Sequence, residues 1–200
     1  MKISEELVKN NLISGNKVCE VFNRLYKDIF EMPVDSGSSF MKALWGRYKN
    51  ESQNLNGKVF EGLIASTLFR FKLVPIYVQA RLAFVPNVDF DFILYSKEYG
   101  PIVLSAKTSL RERYKQADLE GMMLRQVHRN AKTYLITLDE NEAKSVNNKI
   151  KNGQVLGLDE VITATSSEFD DLIEYLRTLD YLKPEKVEVI SGHRIIESVG

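Results

Sequence analysis

The chain has 200 residues, of which 44% are hydrophobic, and its 27 basic residues are balanced by 27 acidic ones. A neutral total excludes a global charge field, so a nucleic acid would have to bind at a local basic patch. The single cysteine excludes an intramolecular disulfide and a cysteine-based metal cluster, and no stretch of 18 uncharged apolar residues occurs. We therefore expect one soluble, cytoplasmic domain with a full-sized core and no membrane partner.

The first fifty residues show a helical period. Apolar residues recur at three- and four-residue steps over 14–30, which predicts an amphipathic helix, and a second helix is expected over 38–49. The loop PVDSGSS separates them, because proline, glycine and serine interrupt regular structure. We interpret residues 1–50 as a helical subdomain or arm.

The rest of the chain alternates between helical and strand patterns. The first expected element is a helix that is capped by Asn56 and runs to residue 72. Three consecutive antiparallel strands follow, in VPIYVQARLAF, NVDFDFILYS and GPIVLSAK. Helices are then expected over 110–129, 140–151 and 166–179, with a strand in AKTYLITLD between the first two and a strand in VLGLDEVITA between the last two. Residues 51–182 form the expected core, and 183–200 are assigned as a C-terminal tail. This order predicts one α/β domain whose mixed central sheet carries helices on both faces.

Two of these strands carry charged residues near their ends. Side chains alternate along a strand, so Asp89 and Asp91 are expected on one face, with Phe90 and Phe92 on the other. Lys107 ends the following strand. If the two strands pair, a carboxylate and a lysine meet near a strand end.

Two glutamates can reach the same place. Glu120 lies 13 residues after Lys107, on a helix that can lean back against the sheet, and Glu61 lies on the helix before the strands. Carboxylates with one lysine suit a hard divalent cation such as Mg²⁺. The lysine can orient a metal-activated water and offset charge on a phosphate.

The order Asp91, Ser105-Ala106-Lys107, Glu120 resembles the PD-(D/E)XK nuclease site, in the variant where the next helix supplies the acid before the lysine. With KTSLRERYKQ beginning at Lys107, the segment is similar to the CC/GG-recognising branch of type II restriction endonucleases, which includes EcoRII, SsoII and NgoMIV. The resemblance covers residues 57–129. It implies a restriction-endonuclease-like core, with Lys107 catalytic and with Asp91, Glu120 and Glu61 as catalytic Mg²⁺ ligands.

One position departs from that pattern. The family aspartate normally follows a proline, whereas Phe90 stands before Asp91. Asp89 therefore stays open as the alternative metal ligand, although Asp91 matches the family spacing to Lys107 better.

The triplet Arg111, Glu112, Arg113 is implied by the resemblance to read bases. Arginine can donate bidentately to guanine, and glutamate can accept from the cytosine amino group, in the major groove. Between 106 and 132 there are seven basic residues against three acidic ones, which supplies a local basic patch. Further candidate contacts to phosphates or flanking bases are Lys115, Gln116, Arg125 and Arg129.

Together these observations predict a Mg²⁺-dependent type II restriction endonuclease that cuts double-stranded DNA at a site containing CC and GG, of the CCNGG, CCWGG or CCGG type. A homodimer is expected, since a two-fold protein matches a palindromic site. Residues 1–50 would complete the dimer or clasp the DNA, and no nucleotide cofactor is expected. The alternatives are a repair or junction nuclease of the same fold without sequence preference, and a catalytically dead DNA-binding module.

Overall fold

The computed structural model describes residues 2–85, 87–184 and 190–196. Its elements in chain order are α1 (Ile3–Lys9), α2 (Asn16–Leu25), α3 (Gly37–Gly46), α4 (Gln53–Arg70), β1 (Ile76–Leu82), β2 (Phe90–Ser96), β3 (Gly100–Ala106), α5 (Arg113–Val127), β4 (Lys132–Thr137), α6 (Glu140–Lys151), β5 (Glu160–Thr163), α7 (Ser167–Arg177) and β6 (Ile190–Ile196). The predicted alternation of helices and strands is confirmed from α2 to α7. Two elements were not predicted, the short helix α1 and the strand β6 within the assigned tail.

The sheet has six strands in the order β5-β4-β3-β2-β1-β6. β3, β4 and β5 run parallel to one another, and the pairs β3–β2, β2–β1 and β1–β6 are antiparallel. The mixed sheet and the antiparallel meander are therefore as predicted. Helix α5 makes the crossover that parallel pairing of β3 with β4 requires.

Helices cover both faces of the sheet. On one face, α4 and α7 pack against apolar residues of β2, β3, β4 and β5, and buried residues of α1, α2 and α3 belong to the same cluster. On the other face, α5 and α6 pack against Leu135 of β4 and Val161 of β5. The helical subdomain therefore shares its core with the sheet, as expected of a layered α/β fold.

Helix α4 is the central helix of this core and is 18 residues long. Its N-cap is Ser52, whose side chain accepts from the N–H of Leu55, and not Asn56 as predicted. The Asn56 side chain instead accepts from the Tyr48 hydroxyl and the Glu51 N–H, so it ties the preceding loop to the helix. Within the described residues no helix is long and apolar enough to cross a bilayer.

The approach of the N-terminal helices to α4 depends on Gly62. A Cβ at this position would lie 2.8 Å from Ile13 Cγ2 and 3.0 Å from a ring carbon of Phe22. Because such contacts are closer than carbon atoms tolerate, only glycine lets these residues pack on this turn of the helix. The neighbouring residue Glu61 borders the candidate site.

The predicted alternation fails at one residue of β2. Phe92 lies in the main core cluster as predicted, but Phe90 packs with Ile93 and Val103 in a second cluster. Phe90 lies next to an interruption in the pairing of β1 with β2. Val78 pairs with Phe92 and Ala80 pairs with Phe90, but Gln79 between them has a left-handed backbone. A strand that departs from extended geometry no longer keeps strict alternation against its neighbour.

Candidate active site

A cleft of about 770 Å³ opens where the start of α4 meets the ends of β2 and β3 and the first turn of α5. The segment 12–14 of the N-terminal subdomain forms part of one wall. The charged and polar residues that matter here are Lys58, Glu61, Gln79, Asp91, Lys107 and Gln116. The cleft therefore brings three of the four predicted catalytic residues to one surface.

Asp91 and Lys107 meet in the wall of this cleft. Lys107 Nζ donates to Asp91 Oδ2 at 2.8 Å, and the backbone N–H of Ala106 donates to the same oxygen at 2.8 Å. The side chain of Asp91 is only 9% exposed and that of Lys107 21% exposed. A charge-assisted bond in such a sheltered place is strong, so the pair is held in one geometry.

The structure favours Asp91 over Asp89 as the acid of this site. Asp89 is directed to Arg81, whose Nε and guanidinium nitrogen donate to its two carboxylate oxygens at 2.6 and 2.9 Å. This bidentate pair is largely exposed to solvent. Asp89 is therefore committed to a surface arginine, while Asp91 faces the lysine.

Gln79 joins two of the predicted residues and was not anticipated from the sequence. Its side-chain amide Nε2 donates to Glu61 Oε2 and to Asp91 Oδ1, at 3.2 Å each. The amide carries two N–H groups and so can serve two acceptors at once. Glu61 on α4 and Asp91 on β2 are thus linked through β1.

Glu120 approaches the site from the middle of α5. Gln116 Nε2 donates to Glu120 Oε1 at 2.7 Å. Burial raises the pKa of Glu120, the Gln116 hydrogen bond and the Lys107 charge lower it, and the charges of Asp91 and Asp89 raise it. These causes place Glu120 within electrostatic reach of the Asp91–Lys107 pair.

The predicted metal ligands are not gathered into a ready cage. Among the described residues, no three His, Cys, Asp or Glu side chains are grouped closely enough to hold a metal ion. Mg²⁺ does not need such a cage, because it is usually bound by one or two carboxylates together with waters and substrate phosphates. Asp91 and Glu61 each have a carboxylate oxygen 3.2 Å from Gln79 Nε2, so the two carboxylates are close enough to serve as metal ligands in this way.

The triplet Arg111, Glu112, Arg113 lies where the sequence places it, at the start of α5, and all three side chains are exposed. Arg111 has a left-handed backbone with φ +37°, Glu112 is the N-cap and Arg113 begins the helix. Glu112 is paired with Lys115, and that hydrogen bond lowers the pKa of the Glu112 carboxyl. Glu112 therefore presents an ionised acceptor at the protein surface.

The turn before α5 is anchored by α6. The two carboxylate oxygens of Glu142 accept from the backbone N–H of Leu110 and of Arg111. Sequence analysis missed this residue, since it lies 31 positions from Arg111 and resembles any first-turn glutamate.

The Arg125 side chain makes its hydrogen bonds within the protein. Its guanidinium donates to the carbonyl of Leu156 at 2.6 Å and to Asp159 Oδ2 at 2.6 Å, and it also contacts Thr133. The structure therefore does not support the predicted phosphate contact at this residue. Lys115, Gln116 and Arg129 are exposed, as DNA contacts would have to be.

No family model matches the chain, and no curated protein matches it. Among solved structures, the chain is similar to one described as a complex of restriction endonuclease PspGI with substrate DNA. The TM-score is 0.50 at 18% sequence identity, over 88% of this chain and 92% of that chain. The likeness shows the fold, so the predicted restriction-endonuclease-like architecture is confirmed.

Proposed function

We propose that this protein is a Mg²⁺-dependent, sequence-specific DNA endonuclease of the restriction type, which acts as a homodimer on double-stranded DNA at a site containing CC and GG. The observation that carries the proposal is the sheltered Asp91–Lys107 pair in the wall of a cleft that is also lined by Arg113, the last residue of the exposed triplet 111–113. The fold likeness to a restriction endonuclease is consistent with it.

The cleft provides the groups that phosphodiester hydrolysis needs. Asp91 and Glu61, with Glu120 beside them, would hold the cation. When bound, Mg²⁺ would lower the pKa of a bound water and neutralise charge on the phosphate. Lys107 supplies a fixed ammonium that orients the attacking water and stabilises the negative charge developing on the phosphate oxygens. Because Asp91 holds Nζ at 2.8 Å, this charge is already in place before DNA binds.

Base reading is assigned to the turn that leads into α5. Arg111 and Arg113 can each donate two hydrogen bonds to a guanine, and Glu112 can accept from cytosine amino groups. Three residues separate Lys107 from Arg111. This short spacing would fix the position of the scissile phosphate relative to the bases that are read.

A homodimer follows from the symmetry of the expected target. A palindromic or pseudopalindromic site presents the same half-site on both strands, and a two-fold protein matches it with one surface used twice. Each subunit would then cut one strand. Residues 12–14 line the same cleft, so the N-terminal subdomain would lie against the bound DNA.

Digestion of a plasmid of known sequence in Mg²⁺, followed by sequencing of the fragment ends, tests the proposal. We expect discrete fragments whose ends fall at one motif containing CC and GG, and no cleavage by Lys107→Ala. A smear, or nicking at structural irregularities, would instead support the repair or junction nuclease. Site-specific binding without cleavage in Mg²⁺ or Mn²⁺ would support the catalytically dead module.

A further inference from the structure

Gln79 has a backbone conformation that strand residues rarely adopt. Its φ is +51°, in the left-handed region, although it lies in the middle of β1. On both sides of β1 the described pairing covers Val78 and Ala80 and skips Gln79. A residue that is neither glycine nor asparagine in this conformation is strained, and such strain concentrates at functional sites.

The unusual backbone places the Gln79 amide in the cleft. The amide nitrogen stands between two acceptors, Glu61 Oε2 and Asp91 Oδ1, at 3.2 Å from each. Because both neighbours are carboxylates, the amide must present its N–H groups and not its oxygen to them. Two acids that would otherwise repel each other therefore share one donor.

The donors around Asp91 determine which of its oxygens can take a cation. Oδ2 already accepts from both Lys107 Nζ and the Ala106 N–H, which fills its two lone pairs. Among the described residues, only Gln79 donates to Oδ1, so one lone pair of this oxygen is left for a ligand. Gln79 therefore orients Asp91 Oδ1, the oxygen whose second lone pair can bind a cation.

We propose that Gln79 is a positioning residue of the divalent-cation site, holding Asp91 Oδ1 and Glu61 Oε2 toward a common point. The inference rests on the proposed function in assigning a cation to this cleft. Outer hydrogen bonds to ligating carboxylates typically contribute about 10- to 100-fold to metal affinity, and Gln79 makes two such bonds.

Gln79→Gly separates this role from a structural one. Glycine accepts a φ of +51° without strain, which offsets part of the stability lost with the two amide hydrogen bonds, so the variant is expected to fold while losing the amide. The matched control is Lys72→Gly, which changes an exposed non-glycine residue outside the cleft that also has a left-handed φ, +61°. Both variants are relieved of backbone strain, and only one loses a cleft donor.

The readout is Mn²⁺ binding to the DNA-free protein, followed by the loss of the free-ion signal in electron paramagnetic resonance. We expect the Mn²⁺ dissociation constant of Gln79→Gly to rise about tenfold or more, while Lys72→Gly binds as the wild type does. Equal or tighter Mn²⁺ binding by Gln79→Gly would overturn the inference, as would a wild type that binds no Mn²⁺. A wild type that binds Mn²⁺ but cuts no DNA would refute the proposed function and leave the role of Gln79 supported.

Discussion

Glu142 holds the turn that contains Arg111. Its Oε1 accepts from the backbone N–H of Arg111 at 3.1 Å, and its Oε2 accepts from that of Leu110 at 2.5 Å. The Glu142 backbone is itself fixed, because its N–H donates to the α6 cap Asp139 at 2.9 Å. The first turn of α6 therefore determines how the left-handed turn before α5 presents its arginines.

Glu142→Ala is expected to reduce the discrimination between the cognate site and sites with one changed base pair. Without the carboxylate, the turn gains freedom and Arg111 no longer has one orientation. One hydrogen bond to a charged group contributes about 1.5–3 kcal/mol, so losing the two that Glu142 accepts is expected to reduce discrimination by about tenfold or more. The measurement is the ratio of kcat/KM on cognate and mismatched duplexes.

Glu140→Ala is the matched control, since Glu140 lies in the same helical turn and forms an exposed salt bridge with Lys144. Its discrimination ratio is expected to equal that of the wild type. An unchanged ratio in Glu142→Ala would show that the turn is held by other contacts.

Lys107→Ala is expected to lower kcat by at least about 10²-fold, the usual effect of removing one group that stabilises transition-state charge. Cognate DNA should still bind, because the reading triplet is untouched. Single-turnover cleavage and filter binding on the same duplex separate the two effects. Lys144→Ala, which removes one charge from an exposed surface pair, should leave kcat unchanged.

Arg113→Ala and Lys115→Ala distinguish base reading from phosphate contact. Loss of a bidentate guanine contact is expected to weaken cognate binding by about 1–3 kcal/mol and to relax specificity at one base pair. Loss of a phosphate contact should weaken cognate and random DNA alike and reduce the slope of log K against log salt by about 1. Equal losses on both DNAs in Arg113→Ala would count against its reading role.

The pairing of Asp91 with Lys107 could be predicted because it depends on local rules. Strand alternation and the pairing of β2 with β3 are enough to bring a carboxylate and a lysine together at a strand end. The exposed triplet at the start of α5 follows from the change between strand and helix periods. Both features are determined by residues close in sequence.

Gln79, Glu142 and β6 could not be predicted in that way. VPIYVQARLAF reads as an ordinary strand, and nothing in it indicates a left-handed residue at Gln79. Glu142 acts on a turn 31 residues away, and β6 pairs with β1 across more than a hundred residues. Contacts between distant segments depend on the whole packed fold, on which local periodicity carries no information.

Glu120→Gln is expected to change how stability depends on pH. The pKa of Glu120 is raised above its usual value of 4.5, chiefly by burial, so the protonated form favours the folded state. This contribution to folding stability is fully present below about pH 4.5 and is lost as the pH rises through the raised pKa of Glu120. In EDTA, the Tm of the wild type should therefore fall relative to that of Glu120→Gln as the pH increases over this range.

Glu112→Gln provides the contrast, since Lys115 lowers the pKa of Glu112 and any effect on the Tm should be weak and opposite in sign. Parallel Tm curves for wild type and Glu120→Gln would mean that the carboxylate is solvated and does not face the Asp91–Lys107 pair.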